Sequence, residues 1–398
     1  MALPPVRWWT PTILAVLSAQ FLAALADNAL LIVAIALLEA RYAPEWSTPA
    51  LRVGFYAAYV LLGPFAGRWA DAWPKARMMS LINAIKLVGV VALAFGANPL
   101  LVFTAIGCGA AMYAPARYGM LPELTRDHTL VQANAAMEIV TVAALLGGFA
   151  LGSWLVSGTT NVRACAILGM LYGSGAAATL LLDRPAAPAL PAKAIRFRAG
   201  IGVLLGDRAA RHSLALTSIF WSAAAVLQFL MMDWARRTLA LSLAQAAFLP
   251  ALFALGMVAG AVVAAHAQAF ANAVRPHMCG FALGAGVLLM PLTTSTAAAC
   301  ALLLSTGLLA GALLVPMNAT LQQRGATLMA PGLSVAVQNF LENALSILFL
   351  ASYGAALAWH APLDETIYGL GITVIVLVCL SSLGSHKRKQ SLEKDDRC

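Results

Sequence analysis

The chemistry in this sequence starts at Asp27 and Asn28, which lie halfway along a largely apolar segment from Ile13 to Leu38. The length and composition of the segment predict a membrane helix that carries a carboxylate and an amide at its centre. An Asp at the bilayer centre costs roughly 2.5–3.5 kcal/mol on insertion scales, so such residues normally face the bundle interior or a water-filled cavity. Two roles fit: a substrate or gating group, or a hydrogen bond between helices. The adjacent amide enlarges the polar patch and favours the first role.

Two other segments carry acidic and amide side chains at helical spacing. Asn134 and Glu138 are four residues apart, so they share one face of a predicted helix. A similar pattern recurs around Glu342, which follows Glu138 by 204 residues, about half the chain. There the pairs are Gln338 with Glu342 and Asn339 with Asn343. Substrate binding and helix-to-helix or gate contacts both explain these stripes. Their duplication indicates two six-helix repeats with a site between them near the membrane midplane.

Two cations lie within or at the end of apolar segments. Lys86 fits two roles, since its long stem can reach the membrane surface or its ammonium can pair with an intramembrane carboxylate, and we group it with the gating residues. Arg117 follows Pro115, which predicts a break in the fourth helix. A guanidinium beside unwound backbone suits phosphate, and a cytoplasmic salt bridge explains it equally well. Gln228, in the seventh segment, is a candidate for lining a cavity or for helix packing.

The loop after the second apolar segment has a distinctive charge pattern. Gly67 and Asp71 are followed by Lys75 and Arg77. Gly67 allows close helix approach, Asp71 can accept from a cation or a helix N-terminus, and the two cations add positive charge. The stretch resembles the G-x-x-x-D-x-x-x-[RK]-x-[RK] signature of the major facilitator superfamily, which latches the cytoplasmic ends of the two halves. Pro74 stands where that superfamily usually has Gly, and a plain topogenic charge cluster is the alternative.

Membrane helices must position all of these residues. With 61% hydrophobic residues, 10% charged residues and a mean hydropathy of +0.83, the composition excludes a soluble fold. We count twelve apolar segments of about the length that spans a bilayer. If the loops alternate between sides, the side with both termini carries 19 of the 25 Lys and Arg residues, which predicts cytoplasmic termini. The net charge of +9 therefore reports topology and does not indicate a nucleic-acid partner.

The predicted fold class is an all-α membrane protein with twelve transmembrane helices in two pseudo-symmetric six-helix halves. The N-terminal half spans 1–182 and the C-terminal half 213–384. A Pro/Ala-rich and then basic cytoplasmic linker occupies 183–212, and a cytoplasmic tail occupies 385–398. The six scattered cysteines form no C-x-x-C pair, so we expect neither a metal site nor a cofactor.

Several of these stretches together resemble the bacterial lysophospholipid transporter (LplT) family of the major facilitator superfamily. The matches include Gln20-Phe21, Ala26-Asp27-Asn28-Ala29-Leu30-Leu31, Pro44-Glu45-Trp46-Ser47, Ala114-Pro115-Ala116, Ala133-Asn134, Val315-Pro316, Leu321-Gln322, Ala336-Val337-Gln338-Asn339 and Glu342-Asn343. The resemblance implies inward movement of lysophosphatidylethanolamine and related lysophospholipids across the inner membrane. A separate acyltransferase on the cytoplasmic face would then reacylate them. It also implies that Asp27 contacts the zwitterionic head group and that Arg117 occupies a family cationic position. At the position of Gln228 the family is expected to carry an Arg. The residues that would bind the head group therefore differ here from the family pattern.

Three other functions are weighed against this one. A purely structural or sensory membrane protein would not explain duplicated polar stripes at membrane depth, which are costly features. Proton-coupled efflux of amphipathic drugs or small solutes would use Asp27, Glu138 or Glu342 as the titrating carboxylate. A membrane acyltransferase would need an H-x-x-x-x-D pair, and His360 precedes Asp364 by only four residues. The sequence therefore predicts no enzyme. The expected partners are the lysophospholipid substrate, membrane lipids and, functionally, an acyltransferase on another chain.

Overall fold

The computed structural model describes residues 9–43, 47–125, 127–180, 195–241, 246, 248–266 and 276–395, and in these ranges the chain is helical. The helices are Pro11–Ala40 (α1), Ser47–Ala72 (α2), Lys75–Ala94 (α3), Pro99–Leu124 (α4), Asp127–Gly158 (α5), Asn161–Leu180 (α6), Phe197–Gly206 (α7), Arg208–Arg237 (α8), Phe248–His266 (α9), Pro276–Leu289 (α10), Thr296–Leu328 (α11), Pro331–Ala358 (α12) and Leu363–Asp395 (α13).

The helix starts follow local capping chemistry. The side chains of Thr10, Asn98 and Asp207 precede α1, α4 and α8 and accept hydrogen bonds from backbone N–H groups of the first turn. Pro11 and Pro99 occupy the first helical positions, where the missing N–H costs nothing and the fixed φ angle suits a helix. The polar residues before these apolar segments therefore determine where the segments begin.

Among the described residues, ten helices are long and apolar enough to cross a membrane, which leaves out α6, α7 and α10. Apart from α7, which lies in the predicted linker, each helix overlaps one of the twelve predicted spans. The prediction of an all-α membrane fold is confirmed.

Contacts divide the chain into two compact units. The first comprises Met1–Ile201 and Gly325–Phe340, and the second comprises Gly202–Arg324 and Leu341–Cys398. In the first unit, α1 packs on α5 and α6, α2 on α4, and α3 on α6 and α4. In the second unit, α13 packs on α10 and α8. The domain limits predicted at 182, 213 and 384 stay a prediction.

The predicted helix break at Pro115 is wrong. Pro115 does not end its helix, because α4 continues through it to Leu124, and Pro316 likewise lies inside α11. A membrane helix tolerates an internal proline where neighbouring helices or local adjustments satisfy the freed carbonyl group. Helix α13 extends to Asp395, so the described part of the predicted tail is helical.

Paired glycines hold α9 and α11 together in the second unit. A Cβ added at Gly260 would lie 2.8 Å from the backbone N of Ala312, and one added at Gly311 would lie 2.8 Å from the backbone N of Ala261. The two backbones are therefore in direct contact, as expected for a seam of small residues between membrane helices.

We expect Gly260→Ala to lower the free energy of unfolding by about 1–3 kcal/mol, because the methyl group would meet backbone that cannot rotate away. The measurement is the thermal unfolding midpoint of the purified protein in detergent. Gly354→Ala on α12 is the matched control, since nothing lies within 4 Å of the Cβ it would add. Equal midpoints for the two variants would contradict the close approach.

Candidate substrate site

Asp27 lies at the centre of a hydrogen-bonded cluster in the first unit. Lys86 of α3 donates from Nζ to both carboxylate oxygens, at 2.8 Å to Oδ1 and 2.7 Å to Oδ2. Tyr172 of α6 donates from its hydroxyl to Oδ1 at 2.6 Å. Of the two roles predicted for Lys86, the structure therefore selects pairing with an intramembrane carboxylate. The contact joins α1, α3 and α6 through one charged group.

The lysine of this pair is enclosed by protein, whereas the carboxylate is not. The Lys86 side chain is 1% exposed and that of Asp27 is 18% exposed. Gly109 of α4 makes room for the lysine stem, since an added Cβ there would lie 3.4 Å from Lys86 Cε. Nζ lies 5.7 Å and 5.6 Å from the ring centroids of Tyr113 and Tyr172, within the range of cation–π attraction. Three partners therefore replace the water that the ammonium loses on burial.

Asn83 lies one turn before Lys86 on α3 and is fully buried. Within the described residues, its Nδ2 and Oδ1 and the Tyr113 hydroxyl make no hydrogen bond of ordinary geometry, but Asn83 lies close enough to the Tyr113 hydroxyl to interact with it. The interior around Lys86 is therefore more polar than the sequence of α3 alone indicates.

Asn28 and Asn134 satisfy their amides on their own helices. Asn28 Nδ2 donates to the carbonyl oxygen of Ala24 at 2.8 Å, and Asn134 Nδ2 donates to that of Leu130 at 3.0 Å. Close packing fixes the backbone beside Asn28, because a Cβ added at Gly148 of α5 would lie 2.6 Å from Asn28 Cβ. The close contact between α5 and α1 therefore fixes the position of Asn28.

Arg117 of α4 belongs to the same polar interior. Its charge acts on Glu138 of α5, and both Arg117 and Asp27 act electrostatically on Tyr59 and Tyr113. Glu138 is buried, whereas Arg117 is partly exposed. The guanidinium carbon lies 4.1 Å from the centroid of the Tyr118 ring. The Nε atom of Arg117 has no hydrogen-bond partner in the described part of the chain. Arg117 therefore has a buried donor that no described residue uses.

The remaining predicted site residues are divided between the units. Gln338 and Asn339 belong to the first unit, while Gln228, Glu342 and Asn343 belong to the second. Gln338 and Glu342 are buried. Gln228 is half-buried, and its Nε2 donates to the carbonyl oxygen of Ala225 at 3.2 Å. The grouping of all of these residues into one site stays a prediction.

Asp71, from the predicted gating group, binds the start of α12. Its Oδ1 accepts from the backbone N–H of Gly332 and its Oδ2 from that of Leu333, each at 2.8 Å. A carboxylate is favoured there because the first turn of a helix has unsatisfied N–H groups and a partial positive charge. Gly67 permits the approach, since an added Cβ would lie 2.7 Å from Leu333 Cα. Of the two partners predicted for Asp71, the structure selects a helix N-terminus.

The two cations of this group are used differently. Lys75 is buried and forms an ion pair with Glu123 of α4, whereas Arg77 is exposed. Lys86, which we had grouped with them, lies instead beside Asp27.

Sequence reasoning missed Tyr172, Tyr113, Asn83 and Glu123 as members of these clusters. A usable signal existed for the first three, because a buried cation such as Lys86 needs polar partners on the helices around it. Within the described residues, no three His, Cys, Asp or Glu side chains converge as they would to hold a metal ion.

The sequence profile of the Major Facilitator Superfamily matches residues 16–351. The lysophospholipid transporter LplT of Enterobacter sp. (strain 638) is 38% identical over 391 residues, covering 96% of this chain and 97% of that protein. The protein of the same name from Escherichia coli O9:H4 (strain HS) is 37% identical over 389 residues, covering 96% of this chain and 97% of that protein.

Among solved structures, the human organic anion transporter MFSD10 has a TM-score of 0.75 to this chain. The alignment covers 94% of this chain and all of that one at 18% identity, so it supports the fold alone. Fold, profile and full-length relatives agree, and the chain belongs to the LplT family of the Major Facilitator Superfamily.

Proposed function

We propose that this protein is a lysophospholipid transporter that moves lysophosphatidylethanolamine and related lysophospholipids inward across the bacterial inner membrane by alternating access. The names of the full-length relatives support the substrate class. The observation that carries the proposal is the partly exposed Asp27 carboxylate, fixed by Lys86 and Tyr172 inside an apolar bundle.

The chemistry of a lysophospholipid fits this arrangement. Its head group needs a small polar site, and its single acyl chain needs an apolar path. Asp27 offers a carboxylate to an ammonium group, while the Arg117 guanidinium supplies the positive charge that suits a phosphate. Asn28, Asn134 and Glu138 complete the polar surface contributed by the first unit. We place Gln228, Gln338, Asn339, Glu342 and Asn343 on the substrate path as well.

The direction and setting of transport form part of the proposal. The excess of Lys and Arg on one side of the predicted spans supports cytoplasmic termini and an inner-membrane location. We infer that the chain carries its substrate unchanged and performs no catalysis, so reacylation falls to an acyltransferase on a separate chain. Neither a cofactor nor nucleic acid takes part.

For gating, we propose that Asp71 stabilises one conformation by holding the start of α12. Both oxygens of the carboxylate bind helix N–H groups, and the ion pair of Lys75 with Glu123 fixes the end of α4 beside it. Opening would release the two N–H groups to water, so the bond to Asp71 favours this conformation, and without the bond the transport cycle would return to this conformation more slowly.

The first test measures uptake of labelled lysophosphatidylethanolamine by bacterial spheroplasts that lack their own transporter and express this chain. We expect uptake with and without a protonophore, because Asp27 keeps an internal cationic partner and needs no proton to balance its charge. Spheroplasts with an empty vector provide the background. Absence of uptake in cells that hold the folded protein, together with export of amphipathic drugs, would instead support proton-coupled efflux.

We expect Asp27→Asn to reduce lysophosphatidylethanolamine uptake to near background. The amide keeps the shape of the side chain, but it offers the ammonium group a weaker acceptor and leaves the buried Lys86 charge without its partner. Uptake rate and the amount of folded protein are measured together, with Ser157→Ala on the exposed end of α5 as control. Near-normal uptake by Asp27→Asn would exclude a head-group role for this residue.

We expect Asp71→Asn to slow transport several-fold with little change in equilibrium binding of the substrate. The neutral amide loses the charge-assisted bonds to the start of α12, which contribute about 1.5–3 kcal/mol each when one partner is charged. Arg68→Gln, which changes an exposed charge on the same helix, is the matched control. A large loss of binding with an unchanged transport rate would contradict a gating role.

A further inference from the structure

Lys86 is placed to act on the substrate only through Asp27. Its side chain is 1% exposed, so no head group can reach the ammonium, whereas the carboxylate it binds is 18% exposed. The ammonium contacts both carboxylate oxygens, and Tyr172 adds a third hydrogen bond to Oδ1. A ligand approaching the exposed edge of Asp27 therefore meets a carboxylate whose charge is already balanced.

The Asp27–Lys86 pair carries no net formal charge. Arg117 lies in the same unit and acts electrostatically on Glu138, whose carboxyl group is buried. Tyr113 and Tyr172 present their ring faces to the Lys86 ammonium. Removal of the Lys86 charge alone would leave the site with an unbalanced carboxylate at the surface that the head group contacts.

We propose that Lys86 is a specificity-determining residue: by neutralising Asp27 from behind, it lets the site accept lysophospholipids whose head groups lack an ammonium group. The inference rests on the proposed function, since it concerns selection at that same site. A neutral pair accepts hydrogen bonds from an ethanolamine ammonium or from glycerol hydroxyl groups. A bare carboxylate would still attract the ammonium and would repel the phosphate of a head group that has no cation to offset it.

The test compares uptake of two lysolipids with the same acyl chain, lysophosphatidylethanolamine and lysophosphatidylglycerol, in the spheroplast assay. We expect Lys86→Gln to lower the ratio of glycerol to ethanolamine lipid uptake by about tenfold, because like-charge juxtaposition in a binding site is costly. Lys86→Arg keeps the charge and should largely preserve the wild-type ratio. The ratio separates charge from folding, since a loss of folded protein lowers both rates equally.

Ser80→Ala is the matched control, because it alters a partly buried polar side chain on the same helix, outside the cluster around Asp27, without changing charge. It should leave the ratio unchanged whatever it does to the amount of protein. Equal losses of both lipids in Lys86→Gln, or an unchanged ratio, would overturn the proposal, as would a wild-type protein that accepts only the ethanolamine lipid. Wild-type protein that takes up neither lipid would instead refute the proposed transport function itself.

Discussion

The structure depends on how an apolar bundle accommodates the ion pair of Lys86 with Asp27. Two charges removed from water are tolerated only when their geometry is good and their remaining hydrogen-bonding capacity is satisfied. Here the lysine contacts both carboxylate oxygens, and a tyrosine hydroxyl and two aromatic faces complete the shell. Loss of either partner would strand a charge in the bundle. The positions of α1, α3 and α6 are therefore fixed relative to one another by chemistry that apolar packing alone does not provide.

Asp27 and Asp71 both hold a negative charge within the protein, and different partners stabilise the two carboxylates. Asp27 is balanced by a side chain, which keeps its charge local and leaves one edge open to a ligand. Asp71 is balanced by the backbone of α12, whose first N–H groups have no partners within the helix. The first arrangement suits recognition of a small charged group, whereas the second ties a carboxylate to the orientation of an entire helix. Similar residues thus serve binding in one place and conformational control in another.

The sequence predicts the helices well, and it predicts that Asp27 needs a partner. It does not predict which residue provides that partner, because α3 has no distinct polar face and its rotation follows from packing against α4 and α6. Lys86 therefore remained undecided, and Tyr172 was missed because a tyrosine in an apolar helix is ordinary in itself. Pro115 was misread since local sequence shows the missing N–H but not the neighbours that compensate for it. The arrangement of the two units decides whether Gln228, Glu342 and Asn343 form one site with Asp27. Helix periodicity gives no information about that arrangement.

Asp71 binds α12 through main-chain N–H groups, and this affects how the contact between them can vary among related proteins. Every amino acid except proline carries the N–H group that Asp71 binds, so the side chain at Leu333 can change while both hydrogen bonds persist. The position at Gly332 has no such freedom, because a Cβ there would lie 2.6 Å from Asp71 Oδ1. Sequence drift in this segment is therefore constrained by volume at one residue, and the charge pattern of the segment can diverge without loss of the contact.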